Sequence, residues 1–505
     1  MLMPQRAHKS WILAGLMLTM SLAAMDTTIV STAIPQIVAD LGGFASLSWV
    51  FSIYLLAQTV TIPIYGKLAD MFGRKPILLF GVILFLAGSA TSGLAWNMTA
   101  LILFRGVQGL GAGSIMATVN TLAADLYDIR ERAHIQGWLS SVWGMAAIVG
   151  PAIGGALVQY ASWRWIFFLN VPIGLLASAL LAAFLHERIT IHQHHIDLAG
   201  AMLIFLAASL LILALLENGS SWSWWSLPGL GLPALGLLLM GIFIRIEKRA
   251  PEPIIPLWIW KNRIMAGANL SMIGMGAVMM GPSMYLPLFV QAAQGGSAML
   301  AGFILASSSI GWPIASAYSG RLYLRMGFRN AALIGAVLIG LSALTFVWIS
   351  FPLPVWMLFA DQILLGAGFG FLSTPLLVGV QSMVGWQQRG VVTGSNIFAR
   401  YLGQSLGAAM MGSLFNLSLH HHLQQAPASI GDRLSSSLNT LIQQALQNKL
   451  PEQAQHYLSQ SIHQATTAIY TVMALGGWLI AAILLRTPAR FPIITETTSE
   501  QVSTS

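Results

Sequence analysis

Asp26 and Arg105 are ionisable residues that interrupt long apolar runs of the sequence. With a rise of about 1.5 Å per residue, both are expected roughly 12 Å below the outer surface of the membrane core. A charge at that depth in a membrane is costly unless it faces a partner or a wet cavity. We therefore expect Asp26 to bind protons and cationic substrates, with Arg105 adjusting its affinity. A static buried ion pair would leave the same pattern.

Asp361 and Arg400 form a second intramembrane set. Asp361 is predicted at a depth similar to that of Asp26, one place beyond the position that repeats Arg105, and Arg400 is predicted in mid-membrane. We expect the two side chains to pair. The sequence leaves open whether they are a second titrating pair for proton and substrate coupling or a strut between neighbouring helices.

These few charges stand out because the chain as a whole is poor in charge. It has 505 residues, of which 56% are apolar and only 8% are Asp, Glu, Lys or Arg. A soluble protein carries roughly a quarter charged residues, so this chain cannot cover a water-facing surface. An all-α polytopic membrane protein is predicted. The chain contains no cysteine, which excludes disulfides and thiolate metal ligands.

The elements that position these residues are apolar stretches of about 20 residues, the length that crosses a bilayer as a helix. Trp and Tyr residues cluster at several of their ends, as expected at a membrane interface. About fourteen such spans are predicted, at 11–34, 49–66, 77–96, 98–124, 136–160, 163–185, 198–216, 228–246, 264–290, 298–320, 330–350, 354–380, 391–415 and 464–486.

Most of the 24 Lys and Arg residues fall on one side of these spans when the amino terminus is placed in the cytoplasm. This asymmetry follows the positive-inside rule for an even number of spans. It predicts a multi-pass protein of the cytoplasmic, or inner, membrane with both termini in the cytoplasm. The net charge of +8 then indicates contact with anionic membrane lipid and not with nucleic acid.

Short glycine-containing stretches recur at a nearly constant spacing. Gly66-Lys67-Leu68 returns as Gly320-Arg321-Leu322, and Gly111-Ala112-Gly113 returns as Gly366-Ala367-Gly368. A repeat of six-helix halves is typical of transporters, whose binding site lies between the halves near the midplane. The predicted domains are an N-terminal six-helix bundle at 1–196, an inserted helix pair with a cytoplasmic linker at 197–263, a C-terminal six-helix bundle at 264–490 with an extracytoplasmic loop at 417–463, and a flexible cytoplasmic tail at 491–505.

Two further groups of residues are expected to control movement. The first combines a tight glycine turn after span two with charges at the inner end of span four, where a polar cluster can latch the halves together. Its residues are Gly66, Asp70, Gly73, Arg74, Lys75, Asp125 and Arg132. The second is a glycine-proline set in span five, which lets helices pack closely and bend. Its residues are Gly144, Gly150, Pro151, Gly154 and Gly155.

Several polar or amphipathic residues within the spans are candidates to line a substrate cavity. Each of them is alternatively satisfied by hydrogen bonds between helices, as is common in membranes. They are Tyr54, Gln58, Gln108, Asn120, Trp143, Tyr285, Gln362, Asn396 and Gln404.

No metal or other cofactor is predicted. The histidine clusters at 192–195 and 420–422 lack Cys and a clear carboxylate set, so solvated loops are expected. The extracytoplasmic loop carries apolar residues at helical spacing. This amphipathic segment caps the outer mouth, lies on the membrane, meets a periplasmic partner or is a passive loop. Its apolar residues are Leu434, Leu438, Leu441, Ile442 and Leu446.

Four motifs in chain order resemble the signatures of the major facilitator superfamily. They are the acidic motif at 26–30, the charged glycine turn at 66–75, the arginine motif at 101–113 and the glycine-proline motif at 144–155. With the fourteen spans and the Trp163–Phe168 stretch, the chain resembles the EmrB/QacA-like drug:proton antiporters over nearly its whole length. Leu324 stands where the second copy of the glycine turn would repeat Asp70, which implies that the latch depends mostly on the first copy.

The resemblance implies a major facilitator fold of fourteen transmembrane helices, arranged as two six-helix bundles plus two inserted linker helices. It implies a proton-driven multidrug efflux antiporter that exports amphipathic or cationic compounds. The alternative is a dedicated proton-coupled exporter of one metabolite, siderophore, lipid or peptide on the same scaffold. Small-molecule substrates and protons are the expected partners, and a periplasmic adaptor with an outer-membrane channel remains undecided.

An enzyme is not expected, because no catalytic set of histidines or acids gathers at one membrane face. The chain also lacks a glycine-rich loop followed by Lys-Ser or Lys-Thr, which argues against ATP as the energy source.

Overall fold

The computed structural model describes residues 6–42, 47–187, 197–217, 222–223, 225–250, 253, 256–348, 351–426 and 451–493. This part of the chain folds into α-helices joined by short connections. The first nine are α1 (Arg6–Leu41), α2 (Leu47–Phe72), α3 (Arg74–Gly93), α4 (Met98–Leu126), α5 (Ile129–Tyr160), α6 (Arg164–Phe168), α7 (Asn170–Phe184), α8 (Leu198–Glu217) and α9 (Leu227–Glu247).

The remaining helical segments begin with a single short turn, α10, and continue to residue 486. They are α10 (Trp258–Lys261), α11 (Arg263–Leu288) with a π-helical turn (Phe289–Ala293), α12 (Ala298–Ala306), α13 (Ser308–Met326), α14 (Phe328–Ala343), α15 (Thr345–Trp348), α16 (Val355–Ser382), a 3-10 turn (Trp386–Gln388), α17 (Arg389–Gln424) and α18 (Glu452–Arg486).

Twelve helical segments of the described chain are long and apolar enough to cross a membrane. The predicted spans at 198–216 and 391–415 are helical as α8 and α17, but they are not among the twelve. The helix at 199–214 is apolar and shorter than a full span. The polytopic all-helical prediction is confirmed, whereas the count of fourteen is not.

Several helices are longer than the apolar runs that predicted them. The first continues past residue 34 to Leu41, the fifth begins at Ile129 and the last begins at Glu452. Apolar residues mark the part of a helix that contacts hydrocarbon, whereas the backbone hydrogen bonds continue into the polar interface. Hydropathy therefore underestimates the length of these helices.

The buried apolar side chains form two large groups. One joins α11 to α18, and the other joins α1 to α7 in two adjoining clusters. Ile397 and Tyr401 of α17 belong to the second group, so the groups meet there. The pair α8–α9 packs beside both: Ala208 and Ile212 contact Val60 of α2 in a cluster that also includes side chains of α17. The pair thus lies along the seam between α2 and α17.

The sequence repeat is visible in two matching turns. Gly73 joins α2 to α3 with φ 95° and ψ 155°, and Gly327 joins α13 to α14 with φ 85° and ψ 161°. A positive φ is favourable for glycine and strained for other residues. The same rare backbone conformation at equivalent places explains why glycine recurs there.

Candidate functional site

Asp26, Arg105 and Gln108 form a buried polar cluster between α1 and α4, here called the ion-pair site. Arg105 Nη1 donates to Asp26 Oδ2 at 2.5 Å and to Gln108 Oε1 at 2.7 Å. Gln108 Nε2 donates to the other carboxylate oxygen at 2.9 Å. All three side chains are buried, with Asp26 only 1% exposed. The predicted association of Asp26 with Arg105 is therefore observed in the structure.

The local sequence of α4 brings these groups together. Arg105 and Gln108 are three residues apart and share one helix face. Gly109 and Gly113 lie on the neighbouring turns, where a Cβ atom would collide with the Tyr54 carbonyl group and with the Thr61 hydroxyl of α2. The absence of side chains lets α2 approach α4 closely enough to cover the site.

Aromatic rings shield the arginine of the ion-pair site. The Arg105 guanidinium lies 4.2 Å from the ring centre of Tyr54 and 5.9 Å from that of Phe167. Arg105 Nε also donates to the Val50 carbonyl oxygen at 3.3 Å. Cation–π contacts strengthen in a desolvated setting, so the aromatic rings support the buried charge.

Two polar atoms at the ion-pair site are buried without a hydrogen-bond partner among the described residues. They are Arg105 Nη2 and the Tyr54 hydroxyl. Buried polar groups are normally paired, because leaving one unpaired costs about 1–3 kcal/mol. Each of these two groups could donate to a further hydrogen-bond acceptor.

A second charged network, the latch, lies at the end of the bundle where α2 joins α3, which we call the latch end. Arg74 donates to Asp70 at 2.7 Å and to Asp125 at 2.9 Å. Arg389, at the start of α17, donates to the other oxygen of Asp125 at 2.9 Å. The carboxylates are almost fully buried, so the network is shielded from water.

Backbone groups of the chain segment before α17 complete the latch. Asp70 accepts hydrogen bonds from the N–H groups of Gly390 and Val391, both at 2.8 Å. Arg74 donates to the Trp386 carbonyl oxygen and stacks on its ring, with 3.7 Å from the guanidinium carbon to the ring centre. The predicted latch between Asp70, Arg74 and Asp125 therefore reaches α17, and sequence reasoning missed its partners at 386–391.

The other predicted latch residues have supporting positions. Arg132 donates to the Tyr127 and Ala124 carbonyl oxygens at the end of α4 and reaches Ser382 of α16 at 3.4 Å. Lys75 donates through its side chain to carbonyl oxygens at the end of α7. Gly66 touches Gly390, where a Cβ atom on either residue would meet the other's carbonyl oxygen.

The glycine-proline set of α5 is divided between two neighbours. Gly144 faces Ser309 of α13, whereas Gly150 faces Thr28 of α1, whose hydroxyl donates to the Ala146 carbonyl oxygen at 3.0 Å. Gly154 is buried, and nothing lies within 4 Å of a Cβ atom on Gly155. The side chain of Pro151 lies outside the described residues.

The predicted pairing of Asp361 with Arg400 is wrong. Asp361 contacts Thr345 at 2.9 Å and accepts from Gln362 at 3.0 Å. Arg400 lies over the Tyr401 ring, 5.2 Å from its centre. The physical reason is helix packing. α17 packs mainly on α11 and α2 and only slightly on α16, so Arg400 does not reach Asp361.

The candidate cavity residues have varied surroundings. Asn396 donates to Asn269, which donates to Ser395. Tyr285 stacks on Phe415, and Gln404 contacts Met279. Tyr54, Gln58, Gln108, Asn120, Gln362 and Asn396 are buried, and Trp143, Tyr285 and Gln404 are half-buried.

The remaining predictions concern the two histidine clusters and the apolar residues of the extracytoplasmic loop. The histidines at 192–195 and the apolar residues at 434–446 lie outside the described residues. His421 and His422 end α17, so the cluster at 420–422 is helical and not a loop. In the described ranges, no group of three or more His, Asp or Glu residues is arranged to hold a metal ion.

Comparison with known proteins identifies this fold. A protein-family model described as "Major Facilitator Superfamily" matches residues 16–408 of the chain. The chain belongs to the major facilitator superfamily. Members of this superfamily are membrane transporters, so the chain is a multi-pass transporter of small molecules and not an enzyme.

Two Bacillus subtilis members of the superfamily are similar over most of the chain. "Multidrug transporter protein MdtP" is 34% identical over 412 residues, covering 82% of this chain and 76% of the relative. "Multidrug resistance protein 3" is 32% identical over 497 residues, covering 95% of both. The crystal structure of the human organic anion transporter MFSD10 superposes with a TM-score of 0.63 at 14% identity, covering 95% of this chain and 100% of that one. That likeness concerns the fold alone.

Proposed function

We propose that this transporter is a proton-driven multidrug efflux antiporter, of the fourteen-helix drug:proton subfamily, that exports amphipathic or cationic compounds across the cytoplasmic membrane. The observation that carries the proposal is the buried pair of Asp26 and Arg105 with Gln108. A buried intramembrane carboxylate with a cationic partner and neighbouring aromatic rings is suited to bind a proton or, in place of that partner, a cationic substrate. The names of the two bacterial relatives support the drug substrates.

The proposed cycle exchanges protons for substrate at Asp26. A proton from outside neutralises Asp26, and Arg105 then keeps its contacts with Gln108, Val50 and the Tyr54 ring. After the bundle changes conformation, the proton leaves to the cytoplasm. A cationic or amphipathic substrate next competes for the carboxylate, and its binding favours the return to the outward conformation.

The latch supports a conformation that is closed towards the cytoplasm. In the described chain, the hydrogen bonds between the two halves gather near the latch end and include Arg389 to Asp125 and Tyr323 to Ile129. At the opposite end, polar contacts such as Arg164 to Asp40 stay within one half. We place the latch end in the cytoplasm, together with both termini, on the basis of the basic residues there.

The proposed architecture counts α8 and α17 as spans in addition to the twelve. It treats 1–196 and 264–490 as two moving bundles and 197–263 as the inserted pair with its linker. Transporters built from repeated halves rock one half against the other, which exposes a binding site near the midplane first to one side of the membrane and then to the other.

Everted membrane vesicles test the assignment of Asp26. In the wild type, adding a cationic dye or drug to energised vesicles should release protons, which a pH-sensitive dye reports. Asp26→Asn should abolish this release and lower proton-driven export at least tenfold, because the amide cannot exchange a proton. Asp40→Asn, which changes an exposed acid at the opposite end, is the matched control and should behave as wild type. Full proton-driven export by Asp26→Asn would refute the assignment.

The competing hypothesis is a dedicated exporter of one metabolite, siderophore, lipid or peptide. The same vesicles distinguish it, because such a transporter would give no proton signal with a panel of unrelated dyes and drugs. It would give a signal, lost in Asp26→Asn, with extracts of the cell's own metabolites.

A further inference from the structure

A second buried acid, Asp361, lies near the start of α16, at the end of that helix away from the latch. It is 3% exposed. The ion pairs of the described residues involve Asp26, Asp40, Asp70 and Asp125 but not Asp361. An ionised carboxylate at this depth would cost several kcal/mol without a cation. The neutral acid avoids that cost, so Asp361 differs in kind from Asp26.

The hydrogen bonds around Asp361 leave a place for a proton on the acid. The Thr345 hydroxyl oxygen lies 2.7 Å from the Ser342 carbonyl oxygen and 2.9 Å from Asp361 Oδ1. A hydroxyl has one hydrogen to donate, and a carbonyl can only accept. When Thr345 donates to Ser342, the hydrogen in its contact with Asp361 must come from the acid. Gln362 donates to the other oxygen at 3.0 Å, so a neutral acid with its proton on Oδ1 is compatible with both of its side-chain contacts.

A cavity is lined by Phe346, the residue that follows Thr345, which contacts this acid. It has a volume of about 570 Å³ and is lined at the opposite end of the bundle by Phe346, His422, His463 and Thr467, among others. Phe346 stacks on Tyr470 with ring centres 3.9 Å apart. Because the Tyr470 hydroxyl reaches Gln362 beside the acid, this aromatic pair connects the cavity lining to the surroundings of Asp361.

Few titratable groups face the acid across its neighbouring helices. The Tyr470 hydroxyl of α18 is 3.4 Å from Gln362 Nε2, and His422 and His463 line the cavity. In the described chain, α13, α14 and α17 contribute no charged side chain that hydrogen-bonds to Asp361. Changes in its charge thus have no compensating cation nearby.

We propose that Asp361 is a second proton-binding site, which holds its proton as a neutral carboxylic acid in the latched conformation and exchanges it with water through this cavity. In the exchange, the O–H bond of Asp361 breaks, water accepts the proton, and Thr345 and Gln362 hold the resulting carboxylate. The site is separate from the ion-pair site and does not rest on the proposed role of Asp26.

Infrared difference spectroscopy of the purified full chain tests this proposal. At neutral pH the wild type should show the carbonyl band of a protonated carboxyl group, and Asp361→Asn should lose intensity equal to one such group. Asp40→Asn, which changes an exposed acid, is the matched control and should leave that band unchanged. Retention of the full band in folded Asp361→Asn would overturn the proposal, because it would mean that Asp361 is ionised.

Exchange with solvent separates a working proton site from a trapped proton. In heavy water the same band should shift to lower frequency without unfolding of the protein. A band that shifts only on unfolding would mean a structural strut and would contradict the proposal. If Asp361→Asn does not fold, Thr345→Val gives a second readout: loss of the hydroxyl should move the band of the same acid, and an unmoved band would count against the assignment.

Discussion

At the scale of single residues, the buried charges were the feature most directly predicted from the sequence. Asp26 and Arg105 could be predicted as partners because each interrupts an apolar run at a similar depth, and a buried charge needs compensation. Depth alone does not give direction around a helix axis. Asp361 and Arg400 were expected to pair on the same reasoning, yet they face different neighbours.

A double-mutant experiment should show how Arg105 stabilises the ion-pair site. Arg105→Gln should destabilise the protein by about 3–5 kcal/mol, because it leaves the Asp26 carboxylate buried without a cation. Asp26→Asn combined with Arg105→Gln should recover most of that loss, because no charge then remains. Thermal unfolding in detergent measures both variants. Additive losses in the double variant would show that the two side chains are not energetically coupled.

At the scale of elements, the presence of the helices followed from hydropathy, whereas their ends and neighbours did not. The glycine-proline set illustrates this. Its residues predicted close helix packing, but the sequence could not assign Gly144 to α13 and Gly150 to α1. The latch shows the same limit, because nothing in the sequence of 386–391 marks it as the partner of Asp70.

Two glycines of α5 provide a matched test of this packing. Gly150→Ala should lower the unfolding temperature, because its Cβ atom would meet the Thr28 hydroxyl that bonds to α5, and overpacking costs about 1–3 kcal/mol. Gly155→Ala adds the same methyl group where nothing lies within 4 Å. It should leave the unfolding temperature unchanged. Equal effects of the two substitutions would argue against the observed packing of α5 on α1.

At the scale of the whole molecule, the latch fixes the relation between the two halves. Its acceptors lie on α2 and α4, and its donors include the start of α17. The twofold pattern of glycine turns predicted two equivalent halves, but with Leu324 in the second copy only the first contains the carboxylate. Both latch carboxylates, Asp70 and Asp125, thus belong to the first half.

Removing one acceptor should open the latch. Asp70→Asn loses a carboxylate that accepts from Gly390 and Val391, a change of about 1.5–3 kcal/mol. Because the chain has no cysteine, spin labels at Arg130→Cys and Gln387→Cys can report the distance between the halves. Asp70→Asn should increase the population of long distances by about tenfold or more.

Asp128→Asn is the matched control for the latch. It changes an exposed acid at the same end whose side chain makes no capping hydrogen bond. Its distance distribution should match that of the wild type. An unchanged distribution in Asp70→Asn would mean that other contacts hold the halves together.

The position of α8 and α9 makes the two lipid-facing sides of the transporter unequal. The two halves meet along two seams, and the inserted pair packs on the one between α2 and α17. Acyl chains are displaced from that seam, whereas the seam between α5 and α13 has no such cover from the pair. A compound already dissolved in the lipid therefore meets one lateral approach to the interior instead of two.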